Sequence, residues 1–414
     1  MSGASRWVAA VLVLAAVVTA CQEKLTSPAD CPQLCPGGSA RVLDTVVPAT
    51  ANRDSSFPNA ADFASGGYIG RGRGVALLLS SGYAASEDRA IYRFFPRSDQ
   101  VRVLDTLRSY TVDSATISVT LLARDTLVQG LRLYLYRLPS AVDSTATFAT
   151  IDPLLADPNL IDSVVVPDTL RAGTVTATLQ GDELGRIALT GADSTLAIGL
   201  RMTAVAPTGV RVGSVRSNTG ASFTTFVTAD VLPDTGTIRK QTFSRGTAFN
   251  TFVTQNPVVP VDSLLTIGGE PSSRALIRFD LPDAFLDSST IVRATLELTP
   301  ARPIIGLRGD PAFFYPKPVL GDIGAKSPVD SLLPLDTLPT FVTDTVRLDV
   351  TNIVRLWQAV RARPHSIYLQ MLPEAATFAR GVFYSSRSHG PDPSVPVAPR
   401  LRVTYQRAFP FENP

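Results

Sequence analysis

The chain has 414 residues, 45% of them hydrophobic and 18% charged, with a formal net charge of +2. That balance belongs to a globular protein rather than a disordered one, and the length leaves room for two domains. Its 38 basic residues are interspersed with 36 acidic ones, so the concentrated basic face of a nucleic-acid binder is not expected.

The first twenty residues divide into a positive start ending at Arg6, an apolar run from Val8 to Val18, and the small pair Thr19-Ala20 before Cys21. These are the three parts of a signal peptide. The run is too short to cross a hydrocarbon core of about 30 Å, which takes about 20 helical residues. Val18-Thr19-Ala20-Cys21 resembles the bacterial lipobox, which implies cleavage before Cys21 and lipid on its thiol. A membrane then becomes a partner through the anchor, because two or more acyl tails at about 0.8 kcal/mol per buried methylene hold a protein stably. The chain is expected to be exported, and Gln22, where an Asp would retain it at the inner membrane, points to the outer one. Residues 21–40, with Pro28, Pro32, Pro36 and Gly37-Gly38, are expected to form a flexible tether. Cys31 and Cys35 suit a local disulfide or free thiols in an exported chain, and two thiols with no histidine nearby do not complete a metal site.

Beyond residue 40, short segments rich in Val, Thr, Leu, Tyr and Phe alternate with Asp-Ser, Pro-Asp and Gly-Gly punctuation, the pattern of many antiparallel strands. In Arg274 to Pro282, Ala275, Ile277, Phe279 and Leu281 share one face, with Arg274, Arg278 and Asp280 on the other. In Ile291 to Thr299, Val292, Ala294, Leu296 and Leu298 alternate with polar residues, which predicts a core face and a solvent face. Arg89–Phe95 matches Arg274–Asp280, Val119–Leu121 matches Ala294–Leu296, Leu196–Leu200 matches Ile367–Met371, and Ser214–Ser217 matches Ser385–Ser388. Four matches in one order predict two copies of an all-β domain, at 41–235 and 236–407, meeting near Leu232–Gly236. Helix signals are sparse: Thr351 or Asn352 is expected to cap a short helix carrying Ile353, Leu356, Trp357 and Val360, and Asp182–Arg186 is a weaker case.

The second copy resembles a DNRLRE domain, a surface module related to carbohydrate-binding modules. The resemblance lies in Arg274–Pro282, Ile291–Leu298, Val346–Trp357, Val382–Ser386 and Pro399–Tyr405, five blocks in the family's order. It implies a jelly-roll-like β-sandwich, and hence two tandem antiparallel sandwiches after the signal peptide and tether, with the first copy more divergent. A Trp-containing strand pair common in the family is replaced here by Pro311–Pro316.

Chemistry is harder to find in the chain. Its two histidines, His365 and His389, sit in loop contexts, and the acidic residues stand singly in turn-forming contexts. No catalytic residue, metal ligand or cofactor is nominated. Gly70–Gly74 lacks the strand-loop-helix setting of a phosphate cradle and is expected to be a mobile hairpin tip. Arg308-Gly309-Asp310 spells an adhesion tripeptide but is expected to be a turn. Phe313, Phe314 and Tyr315 are the candidate glycan-stacking residues, since exposed aromatics offer large area at low entropic cost; Tyr134 and Tyr136 occupy a comparable place in the first copy, where strand packing explains them. The expected function is therefore a non-catalytic, lipid-anchored envelope protein whose sandwiches bind, with polysaccharide the ligand class, or serve as structure. The alternatives are a glycan-degrading hydrolase or lyase, and a scaffold subunit of an envelope assembly.

Overall fold

A computed structural model describes residues 42–51, 53–58, 69–103, 106–187, 195–229, 239–257, 261, 263–270, 272–330, 336–337 and 343–407. The fold is all-β, with 51% of residues in strands and 11% in helix, arranged in several antiparallel sheets.

The chain opens with β1 (Val42–Pro48) and β2 (Ser55–Pro58). An eleven-stranded sheet follows, made of β3 (Ala76–Tyr83), β4 (Ser86–Phe94), β5 (Gln100–Val103), β6 (Thr106–Arg124), β7 (Arg132–Leu138), β8 (Leu160–Val165), β9 (Gly173–Gln180), β10 (Ala197–Thr203), β11 (Thr208–Gly213), β12 (Ser222–Ala229) and β13 (Arg239–Thr254). Its order is β13-β12-β6-β11-β3-β4-β10-β7-β8, with β5 and β9 on β6, and β13 pairing also with β4. That last ladder closes a ring around one core.

Alternation makes the ring possible. On β6, Ala115, Ile117, Val119 and Leu121 are buried while Ser114, Thr116, Ser118 and Thr120 face outward; on β9, Val175, Ala177 and Leu179 go in and Thr174, Thr176 and Thr178 come out. A period of two on a half-buried strand sends every second residue to the core. The sixteen residues of β13 are long enough to serve two partners: Arg239–Gly246 runs along β12, and after a bulge Phe249–Thr254 runs along β4. Bulges let a strand turn in this way.

The remaining strands are β14 (Leu264–Gly268), β15 (Ser273–Arg278), β16 (Ser289–Leu298), β17 (Phe313–Pro318), β18 (Asp336–Thr337), β19 (Val346–Asp349), β20 (Ser366–Leu372), β21 (Arg380–Tyr384) and β22 (Arg400–Arg407). They form a four-stranded sheet, β1-β22-β16-β19, and a seven-stranded sheet, β18-β17-β20-β15-β14-β21 with β2 beside β15. One core joins both: Leu296, Leu401 and Val403 from the first pack with Ile277, Leu369 and Phe383 from the second, under Ile353, Val354 and Trp357 of a short helix (Thr351–Ala359).

The two bodies share their ladder order. β7-β10-β4 answers to β17-β20-β15, the β3–β11 pair to β14–β21, and β6–β12 to β16–β22. The serine turns also agree, with Ser217 N donating to Ser214 O at 3.3 Å and Ser388 N to Ser385 O at 3.1 Å. In each turn the first serine's N–H donates to the last serine's Oγ, at 3.3 Å and 2.9 Å.

One correspondence crosses between the bodies. β13, which precedes β14 in the chain, completes the first body along β12 and β4; β1 and β2, which precede β3, complete the second along β22 and β15. The expected boundaries 41–235 and 236–407 therefore assign each half the strand that completes the other, because the open ladder edges of each body are satisfied by the segment upstream of its counterpart. The expected junction at Leu232–Gly236 lies outside the described residues.

Three local expectations also change. A bulge between Ile291 and Arg293 turns Ile291 into the core and leaves Val292 exposed. Arg274 and Arg278 do not face water: Arg274 is buried against Glu374, and Arg278 is paired with Asp322. Thr351 does not cap its helix through its side chain; its Oγ1 accepts from Ala294 N at 2.9 Å, tying the helix to β16.

Candidate functional site

The aromatic run on β17 is split by its strand. Phe314 points into the core, fully buried, with its ring 5.7 Å from that of Phe383, so it is unavailable for stacking on a ligand. Phe313 and Tyr315 lie on the opposite face, half-buried. Tyr315 stands across from Gln370 on β20, and the Lys317 Nζ sits 4.3 Å from the centre of the Tyr315 ring. Behind them Arg274 holds Glu374 through two bonds of 2.6 Å and 2.7 Å, and Gln370 Nε2 donates to the same carboxylate at 2.8 Å. Burial lowers the pKa of Lys317 and neighbouring Arg274 lowers it further, with Glu374 opposing. The patch is thus a tyrosine and a lysine over a fixed, fully hydrogen-bonded floor.

A second cluster lies where the bodies meet. Leu307 and Phe378 leave the second body to join the first core, and Phe378 stacks edge-on against Tyr83 at 5.3 Å. Gly209 lies under Phe378, where a Cβ would come within 2.7 Å of the ring. Asp310 is buried and paired with Arg211. The adhesion tripeptide therefore has its carboxylate locked inside the junction.

The same seam buries a pair of acids. Asp88 is fully buried and accepts from Ser80 Oγ at 2.5 Å and Thr254 Oγ1 at 2.7 Å, and it is hydrogen-bonded to the carboxyl of Glu270 from the other body. Burial raises both pKa values; the bond between them lowers that of Asp88 and raises that of Glu270, which stands well above the usual carboxylate range. Of the two carboxyls, that of Glu270 is therefore the one held neutral to higher pH. Glu270 also lines a pocket with Tyr83, Ser86, Asn256, Phe378 and Arg380, and burial pushes the Tyr83 hydroxyl up to about 12. Glycoside hydrolysis needs carboxyl groups about 5–9.5 Å apart with the sugar bond between them. Asp88 and Glu270 are bonded to each other and leave no such gap between them.

The remaining expected features fall elsewhere. His365 packs its ring 5.5 Å from that of Trp357, and burial lowers its pKa; His389 is in an exposed loop. Gly70–Gly74 is docked rather than a free tip: Asn250 Nδ2 donates to Gly72 O at 2.9 Å and Ser214 Oγ to Gly74 O at 2.8 Å. Gly72 has φ +75°, and a Cβ there would meet Asn250 O at 2.3 Å, a position open only to glycine. Tyr134 and Tyr136 lie on β7, the ladder counterpart of β17, with ring centres 6.5 Å apart. Cys21, the leader 1–20, the tether 21–40 and the pair Cys31 and Cys35 lie outside the described residues. Among those described, no group of three acidic, histidine or cysteine side chains is placed to hold a metal, and no helix is long and apolar enough to cross a membrane.

The junction residues escape sequence reading because their signal is tertiary. Asp88 follows Glu87 in a strand, and Glu270 follows Gly268-Gly269 in a turn. Only the exchange of strands brings them together. No known family model matches the chain, and no curated protein matches it.

Proposed function

We propose that this protein is a non-catalytic, lipid-anchored component of a bacterial cell envelope, in which two tandem jelly-roll-like sandwiches resembling DNRLRE domains serve as binding or structural modules. Lipid on Cys21 would hold the protein to the outer membrane. Twenty residues separate Cys21 from the start of β1, a chain that extends at most about 70 Å.

The observation that carries this reading is the outward face of β9, β6, β12 and β13. Aligned rows place Thr176, Ser118 and Ser222 side by side, then Thr178, Thr116, Thr224 and Ser244. No charged side chain stands in those rows. Hydroxyls both donate and accept, which suits a neutral polysaccharide, and the exposed Phe226 beside Ser114 adds an apolar face for a sugar ring. Tyr315 with Lys317 offers a second, smaller patch. The buried Arg211–Asp310 pair and the acid seam meanwhile hold the two bodies against each other, as a scaffold or binding module requires.

Two measurements test the proposal. Mass spectrometry of the membrane-extracted protein is expected to find acyl groups on Cys21, and Cys21→Ala to release it from the membrane; an unmodified thiol would remove the anchor. Co-sedimentation with insoluble cellulose, xylan and chitin is expected to deplete the protein, and Phe226→Ala to reduce the depletion. No depletion by any of the three rejects polysaccharide as the ligand.

A further inference from the structure

Sheet edges present unpaired N–H and C=O groups to any strand that comes along, and proteins blunt them with charge, proline, bulges or brevity. The described edges of this protein show these devices one after another. β1 carries Asp44 and Pro48, and β2 ends on Pro58. β5 has four residues including Arg102, and β19 has four including Arg347 and Asp349. β8 carries Asp162 and a bulge interrupts its ladder. β18 is two residues long, and the free side of β21 is bridged at Phe383 and Arg380 by Pro300 and Ile305. The first half of β13 carries Lys240 and Arg245.

β9 is different. Its eight residues, Gly173–Gln180, hold no charge and no proline, and its ladder with β6 runs without a bulge. Among the described residues that ladder is its only one. Thr174, Thr176, Thr178 and Gln180 are exposed beside it; the acidic residues nearest it, Asp182 and Glu183, lie beyond its far end, where Glu183 accepts from the Gln180 N–H.

We propose that β9 is a homotypic docking edge, pairing antiparallel with β9 of a second copy of this chain. Its sequence is complementary to itself about Ala177. A two-fold axis there sets Val175 against Leu179 and Ala177 against Ala177 on the core side, and Thr176 against Thr178 and Thr174 against Gln180 on the outer side. Core and solvent faces stay in phase, since a register centred on a residue preserves parity, and no like charges meet. Two copies so joined would form one continuous sheet, as in strand addition, and the hydroxyl face would run unbroken across both.

Light scattering on the purified full-length chain is expected to give a dimer. Thr176→Lys/Thr178→Lys changes two exposed positions that face each other across the axis, and like charges placed directly opposite are unfavourable; dimerisation should weaken about tenfold or more, with an unchanged circular dichroism spectrum showing that the fold is kept. Thr176→Glu/Thr178→Glu should do the same, and mixing the two variants should restore a dimer containing one of each. A monomeric parent chain, a dimer indifferent to both pairs of substitutions, or mixing without recovery would each overturn the proposal.

Discussion

The two bodies reach closure by different routes. The first is contiguous: β3 to β13 runs from residue 76 to 254, and its completing strand follows directly on the rest. The second is assembled from both ends, since β1 and β2 must return from residues 42–58 to lie on β22 and β15. Equivalent edges are thus filled locally in one case and across the whole chain in the other. Separation in sequence costs loop entropy and little else once the fold is made, so the second body is the one whose integrity depends on the chain's beginning.

The largest effect should come from removing that beginning. Deleting residues 42–58 strips β22 and β15 of a partner strand and takes Val47 and Ala49 out of the second core. Hydrogen exchange is expected to accelerate throughout β15, β16 and β22 while β3, β4 and β6 keep their protection. Equal acceleration in both bodies would show that they unfold as one unit and would break the comparison.

A matched pair of arginines sharpens it. Arg89 and Arg274 hold corresponding places on β4 and β15, and both are buried. Arg274 holds the wholly buried Glu374, whereas the partners of Arg89, Glu87 and Asp152, are 28% and 35% exposed and keep water when it is lost. Arg274→Ala leaves a bare charge inside the protein and should cost about 3–5 kcal/mol; Arg89→Ala should cost about 1–3 kcal/mol. Chemical denaturation of the two variants checks the order.

The seam between the bodies should respond to pH. Glu270 keeps its proton in the folded protein well above the pH at which an unfolded chain would lose it. A group with its folded pKa raised stabilises fully below the unfolded value and loses that contribution as pH rises through the folded one. Melting temperature is therefore expected to fall as pH climbs above the ordinary carboxylate range. Glu270→Gln, which holds its hydrogens at any pH, should flatten that fall; an equally steep profile in the variant would remove the acid pair as its cause.

What the sequence revealed and what it hid follow the same division. Alternation along β6, β15 and β20 is a local signal, and the all-β class was legible from it, as was the buried helix around Trp357. The match of Ser214–Ser217 to Ser385–Ser388 was legible because each lies within four residues, though the turn that each forms was not read from it. The partner of β1 was not, because Asp44 meets Arg402 across a separation of 358 residues. Alternation also misplaces a strand wherever a bulge intervenes, as at Val292, and it says which aromatics share a face but not which face is covered, hence Phe314. The acid seam needed both kinds of distant information, the exchange of strands and the burial it creates.

The smallest expected effect concerns what keeps β1 in place. Two kinds of contact are present: inward side chains, with Val47 buried in the core and Leu43 against it, and an outward ion pair between Asp44 and Arg402 at 2.7 Å. Val47→Ala removes apolar area and leaves a gap, for an expected loss of about 1–3 kcal/mol. Arg402→Ala should leave the β1 amides as protected as before, because both partners of the pair are more than two-fifths exposed and water replaces what is lost. Glu297, which Arg402 also contacts, retains Arg400 at 2.5 Å, so no bare buried charge results. If hydrogen exchange in β1 nevertheless quickened more in Arg402→Ala than in Val47→Ala, the strand would be held by charge at its surface rather than by its ladder and core side chains, and the second body would be sensitive to salt in a way the first is not.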